Sequence, residues 1–161
     1  MALNRPINAL LIILLAICAA TSATAETRLT GRASVIDGDT IEIHGQRVRL
    51  HGIDAPESGQ LCRDGMGINY RCGQAAALHL DDLVRDKLVD CVSDQVDRYG
   101  RLIARCSVNG VSIGASLVYD GVAVAYRQYS NQYVLMEVDA QKAGRGLWAG
   151  DFEMPWNWRR Q

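Results

Sequence analysis

The chain has 161 residues, length for about one domain, with 22 % charged side chains and a formal net charge of −1. That balance excludes holding a polyanion by bulk charge, so any attraction for nucleic acid has to come from a local group of arginines. No internal repeat, low-complexity tract or proline-rich linker divides residues 26–161.

In chain order, Arg5 precedes an almost wholly apolar run from Ile7 to Ala20, and Ala23-Thr24-Ala25 puts small residues ahead of Glu26. That order predicts a cleaved secretory signal over residues 1–25 and a single domain over 26–161. The apolar run is shorter than the ~20 residues that span a bilayer, so no stable membrane anchor is expected. Ile17 before Cys18 is too bulky for lipoprotein processing, which argues against a lipid anchor. Loss of Arg5 leaves 16 basic and 18 acidic side chains, a net charge near −2. Four cysteines remain, Cys62, Cys72, Cys91 and Cys106. An even number in an exported chain predicts disulfides. Zinc is disfavoured because there is no Cys-x-x-Cys pair and His44, His51 and His79 lack ligand spacing.

The first half reads as short strands. Ala33 to Ile36 leads into an Asp37-Gly38-Asp39 turn, then Thr40-Ile41-Glu42-Ile43 alternates with the period of a half-buried strand. After His44-Gly45-Gln46, the stretch Arg47 to His51 alternates again, with Val48 and Leu50 facing inward. The polar stretch Ser58 to Gly73 reads as a surface loop, and a helix is predicted from about Gln74 to Asp86, its stripe formed by Ala76, Leu80, Leu83 and Val84. A hairpin follows, Leu88 to Val92 and Leu102 to Val108 about a turn at Arg98-Tyr99-Gly100. Symmetric pairing about Arg98 and Tyr99 joins residues whose numbers add to 197, which sets Cys91 opposite Cys106 within disulfide range and leaves Cys62 to pair with Cys72. Ser112 caps a helix over Ile113 to Asp120, and Tyr133 to Ala143 forms the last, ended by Gly144. Five short strands with about three packed helices predict an α+β fold built on a small OB-type barrel.

Three polar clusters stand apart from this scaffold: Asp37-Gly38-Asp39-Thr40, the run Arg49-Leu50-His51-Gly52-Ile53-Asp54-Ala55-Pro56-Glu57, and Asp97-Arg98-Tyr99-Gly100-Arg101. Singly, these are what a capped turn, a solvated ion pair and a charged hairpin tip look like. In this order, and followed by Ala125-Tyr126 and Gly146-Leu147-Trp148, the chain resembles the staphylococcal nuclease (thermonuclease) family over about residues 30–150.

The resemblance implies an exported, Ca²⁺-dependent hydrolase of phosphodiester bonds, an endonuclease acting on DNA and RNA as a monomer in the periplasm or medium. It implies attack that breaks the 5′ P–O bond and leaves 3′-phosphate ends. Asp39, Asp54 and the backbone carbonyl of Ala55 then match the Ca²⁺ ligands, hard oxygen donors suited to that ion, with Asp37 close by. Glu57 matches the carboxylate that takes a proton from the attacking water or orients it. Arg49 and Arg101 match the two catalytic arginines, whose planar forks meet charge on the phosphate oxygens. Arg98, Tyr99 and Tyr126 fall at substrate-contacting positions. Two departures mark this chain: the cysteine-bearing stretch after Glu57, and Gln128 followed by Tyr129 where the family prototype has a second tyrosine. A non-catalytic OB-type nucleic-acid-binding module and an envelope or polysaccharide-associated factor are the alternatives from other classes, since fold does not fix function.

Overall fold

The computed structural model describes residues 26–161; the expected signal segment lies outside the described residues. The strands of the amino-terminal half are β1 (Thr27–Gly31), β2 (Ala33–Asp37), β3 (Thr40–Ile43), β4 (Gln46–Leu50), β5 (Ile53–Asp54), β6 (Leu61–Arg63) and β7 (Asn69–Arg71). Helix α1 (Cys72–Val84) follows, then β8 (Val89–Val96), β9 (Leu102–Val108), β10 (Val111–Ser112), α2 (Ile113–Tyr119), β11 (Val124–Ala125), α3 (Val134–Ala143), a 3-10 turn (Gly146–Ala149) and α4 (Pro155–Trp158).

The main sheet runs β1-β8-β9-β4-β3-β2, with β10 paired to β9. Its two ends, β1 and β2, are separated only by Arg32. They follow each other directly, so the sheet curls back on itself as an OB-type half-barrel with β1 and β2 at its two ends. All neighbours are antiparallel except β4 and β9, which pair in parallel with Arg49 opposite Ile103. Alternation in β3 and β4 turns Ile41, Ile43, Val48 and Leu50 inward, none more than 2 % exposed. Burial of each such side chain contributes about 1.5–3 kcal/mol relative to leaving it in water. Leu80 and Val84 of α1 and Ile113, Leu117 and Val118 of α2 close the same core.

The expected helices are present with shifted ends. Ser112 accepts the Ala115 N–H as a side-chain cap, and Gly144 ends α3 in the left-handed conformation (φ 59°). Besides the two-residue strands β5, β10 and β11 and the 3-10 turn, the structure adds three elements to the sequence reading. Residues 27–31 form a strand with no clean alternation, the expected loop contains the β6–β7 hairpin, and a short fourth helix begins at Pro155.

The β8–β9 register follows the 197 rule from Val89↔Val108 through Ser93↔Ala104, then slips by one at a bulge between Ser93 and Gln95. Cys91 and Cys106 are bonded across it, with Cα atoms 4.1 Å apart, and Cys62 is bonded to Cys72 with Cα atoms 5.6 Å apart. The second bond ties β6 to the start of α1. Reduction is expected to lower stability by about 2–4 kcal/mol per bridge, measured as a shift in the denaturation midpoint. Peptide mapping without reductant checks the pairing, and a Cys62 to Cys91 link would contradict it.

Candidate active site

The polar clusters meet because of strand pairing. The bulge at the end of β2 turns the chain at Gly38, Asp37 accepts the Asp39 N–H at 3.0 Å, and Thr40 pairs with Arg49 across β3 and β4. Leu50 donates its N–H to the Asp39 carbonyl at 2.8 Å, locking the first cluster to the second. Gly38 has a steric role: a Cβ there would sit 2.7 Å from the Ala55 Cβ and 2.8 Å from the Ala76 Cβ. Only glycine lets the Asp37–Asp39 turn press onto the turn that carries Ala55.

Asp39 and Asp54 are buried, 3 % and 0 % exposed, and face one guanidinium. Arg49 Nη1 donates to Asp39 Oδ1 at 2.6 Å and Nη2 to Asp54 Oδ1 at 2.7 Å. Asp39 also accepts the Thr40 hydroxyl and, through Oδ2, the Ala55 N–H at 3.1 Å. Burial nonetheless pushes its pKa up to about 7; Arg49 opposes the shift, while the charges of Asp37 and Asp54 add to it. For Arg49, burial works against the charge, but Asp39 and Asp54 outweigh it and raise the pKa above the ordinary arginine value.

Asp39 and Arg49 line one cleft of about 910 Å³ with Asp37, Ala55, Glu57, Arg98, Tyr99, Arg101 and Tyr126; Asp54 does not line it but is bonded to Arg49 and Arg159, which do. Each sequence-predicted site residue is therefore at this cleft. Arg101 comes from the β8–β9 tip and is half-buried rather than free in solvent. Its Nε donates to Asp97 Oδ2 at 2.8 Å, and Asp97 also accepts the N–H groups of Tyr99 and Arg101. Burial would raise the Asp97 pKa, but these hydrogen bonds hold it below the ordinary carboxylate range. Tyr99 is exposed, with the Arg98 guanidinium 4.9 Å from its ring centre.

Tyr126 reaches the cleft through β11, which pairs with β5 (Val124↔Asp54), and its N–H donates to the Gly52 carbonyl at 2.9 Å. Gln128 accepts the Tyr126 hydroxyl at 3.3 Å, and Tyr129 meets the Tyr126 ring edge-on. Sequence reading missed Glu137, fully buried in α3, which accepts the Ala125 N–H at 2.9 Å and pairs with Arg127. No spacing signal marks it; only the fold brings α3 under β11. Glu137→Ala strands a buried N–H, which is expected to cost about 1–3 kcal/mol by urea denaturation, whereas Glu137→Gln keeps an acceptor and costs less. Also missed was Arg159, which touches Asp54 and Glu57. Its signal was the aromatic and basic ending Pro155-Trp156-Asn157-Trp158-Arg159-Arg160, which fits a proline-started helix.

The donor set suits a hard divalent cation: two converging buried carboxylates with a half-buried Asp37 and Glu57 at the rim. Among the described residues no three His, Cys, Asp or Glu side chains form a ready metal cluster. A backbone carbonyl such as that of Ala55 would have to complete the shell.

A curled OB-type sheet presenting paired carboxylates and two arginines at one cleft defines a hydrolase of nuclease type. Comparison with known proteins agrees. Residues 47–150 match the staphylococcal nuclease homologue family. The chain is 41 % identical over 130 residues to the succinoglycan biosynthesis protein ExoI of Rhizobium meliloti, covering 78 % of this chain and 68 % of that one. It is 35 % identical to a micrococcal nuclease of Shigella flexneri, over 78 % of this chain and 77 % of that one. It is 36 % identical to an uncharacterized endonuclease of Haemophilus influenzae, over 99 % and 88 % of the two chains. The chain belongs to the staphylococcal nuclease family.

Proposed function

We propose that this chain is an exported, Ca²⁺-dependent endonuclease that hydrolyses DNA and RNA and leaves 3′-phosphate ends. The observation that carries the reading is one cleft in which Arg49 spans Asp39 and Asp54 while Glu57 and Arg101 line the same cleft. Asp39, Asp54 and the Ala55 carbonyl would hold the ion, with Asp37 near them. Bound there, Ca²⁺ would supply an acidified, positioned water and charge to offset the phosphate.

Glu57 takes the proton of that water or orients it, as a half-buried carboxylate at the cleft rim can. Arg49 and Arg101 meet the charge that grows on the equatorial phosphate oxygens, where two-pronged guanidinium contacts are strongest. Its carboxylate partners keep Arg49 charged but take both of its Nη groups, so an ion held by Asp39 and Asp54 would have to free them for the phosphate. Asp97 instead holds Arg101 through Nε, leaving both Nη atoms for the substrate. Arg98, Tyr99 and Tyr126 contact the nucleotide around the scissile bond, and weak base selectivity follows from stacking contacts that every base can make.

Export is supported by the two disulfides and by the amino-terminal 25 residues read as a signal. No helix among the described residues is long and apolar enough to cross a membrane. The barrel and its helices form a single domain over 26–161, acting as a monomer. A second reading, a polysaccharide-associated factor, draws on the name of the ExoI relative. The intact pair of carboxylates and arginines favours phosphodiester chemistry instead.

The test is incubation of the purified protein, residues 26–161, with labelled single-stranded DNA and RNA, with and without chelator, followed by end analysis of the fragments. Calcium-dependent cleavage giving 3′-phosphates is expected. Intact substrate under every condition would leave a binding module.

A further inference from the structure

The carboxy-terminal segment lies outside the family match, which stops at residue 150, yet it reaches the centre of the site. Arg159 Nη2 donates to Asp54 Oδ2 at 2.7 Å, and Nη1 donates to Asp54 Oδ1 at 3.1 Å and to Glu57 Oε1 at 2.5 Å. With Arg49 on Oδ1 as well, both oxygens of a fully buried carboxylate are held by guanidinium groups. A buried anion needs such compensation. Arg49 holds Oδ1 of both Asp39 and Asp54, and Arg159 takes Asp54 Oδ2, so a divalent cation seated on that oxygen would have to displace Arg159.

The segment is fastened in two ways that differ in kind. Residues 150–153 are stitched to the body by backbone: Arg63 and Asp151 exchange N–H bonds at 2.8 and 3.2 Å, and Gln60 Nε2 donates to the Glu153 carbonyl at 2.7 Å. Beyond Met154, among the described residues, backbone hydrogen bonds are local to the helical turn, such as Arg159 N–H to the Pro155 carbonyl at 3.1 Å. There the segment meets the body through side chains. Trp156 lies flat on Tyr126, ring centres 5.3 Å apart and planes within 4°, and Arg159 grips the carboxylates. Lifting this part about Glu153 would break no backbone bond to the barrel, though it would uncover buried Pro155 and the faces of Met154 and Trp156 packed against the Cys62–Cys72 cluster.

We propose that residues 154–161 are a self-inhibitory strap whose Arg159 occupies the cation position, so that the site takes a divalent ion only when the strap lifts. The inference rests on the metal reading of the carboxylates given above. Competition of this kind is reciprocal: a strap seated nine-tenths of the time weakens the apparent affinity for the ion about tenfold. Trp156 provides a built-in reporter, because lifting the strap unstacks it from Tyr126.

The experiment is calorimetric titration of calcium chloride into the metal-free protein, residues 26–161, as wild type, Arg159→Ala and Trp156→Ala, with tryptophan emission recorded on wild type and Arg159→Ala. Arg159→Ala is expected to bind calcium about tenfold more tightly. Trp156→Ala, which loosens the strap but keeps the guanidinium, should shift affinity the same way and stands in if Arg159→Ala does not fold. Wild-type emission should change on calcium addition, and Arg159→Ala should start near the calcium-loaded spectrum. Unchanged or weaker binding in both variants, beside measurable binding in the wild type, overturns the strap and leaves the metal reading standing. Absence of calcium binding in the wild type and both variants overturns the metal reading, and the strap with it.

Discussion

Replacing Arg101 with alanine is expected to lower turnover by about 10²–10³ while leaving substrate affinity nearly intact. The charge on the phosphate oxygens grows only on the way to the transition state, so a donor aimed at it contributes to kcat rather than to ground-state binding. The hairpin tip should survive the change. Asp97 keeps the N–H groups of Tyr99 (2.8 Å) and of residue 101 (3.0 Å), which shape the turn without the guanidinium. Arg101→Lys should rescue little, because an ammonium cannot bond Asp97 and still present two prongs to the phosphate. A phosphate anchor on a mere binding surface behaves differently, with a uniform loss of affinity and a shallower salt dependence. Measuring kcat, KM and the salt slope for both variants separates the two. Unchanged turnover at saturating DNA in Arg101→Ala would remove Arg101 from the catalytic set.

Much of the barrel was legible because its strands obey local rules. Ile41, Ile43, Val48 and Leu50 alternate onto the core, with Thr40 buried on the other face as well, and the β8–β9 register follows from its turn. What was not legible has non-local causes. Thr27–Gly31 is held by pairing with β8 and shows the burial pattern of an edge lying across the barrel rather than a clean inside and outside. The β6–β7 hairpin is three residues a side and is pinned by Cys62–Cys72, a constraint that propensity does not carry. The bulge between Ser93 and Gln95 shifts the tip by one residue, stabilised by Ser93 Oγ donating to the Ile103 carbonyl at 2.8 Å.

The site divides in the same way. Asp39, Arg49, Asp54, Glu57 and Arg101 lie in short clusters at strand ends, where motif spacing reports them directly. Glu137 and Gln60 act through burial. Gln60 is 0 % exposed and ties the Glu57 turn to Glu153, a link across 93 positions that no sequence window contains. Arg159 belongs with these, since nothing in its neighbours' spacing aims it at Asp54.

Chelation is expected to abolish activity, and the calcium requirement should steepen as pH falls. On the proposed reading Asp39 and Asp54 would contribute hard oxygen donors, and Mg²⁺, which demands tight octahedral geometry and holds its waters, should serve poorly. In the metal-free protein, burial holds the Asp39 pKa near 7. A raised carboxylate pKa means that the site carries a proton below that pH, and calcium has to displace it. Above about pH 7 the half-saturating calcium concentration should be flat; below it, the value should rise about tenfold per pH unit, one proton exchanged per ion. Asp39→Asn removes that proton, so its slope should vanish while its overall affinity falls. Raised calcium should restore much of its turnover, because the residue acts by holding the ion rather than by touching the phosphate. Calcium titrations of activity from pH 5.5 to 8.5, for wild type and Asp39→Asn, read all three. Full activity in excess chelator would take the ion out of the mechanism. An identical slope in the variant would assign the proton to another group.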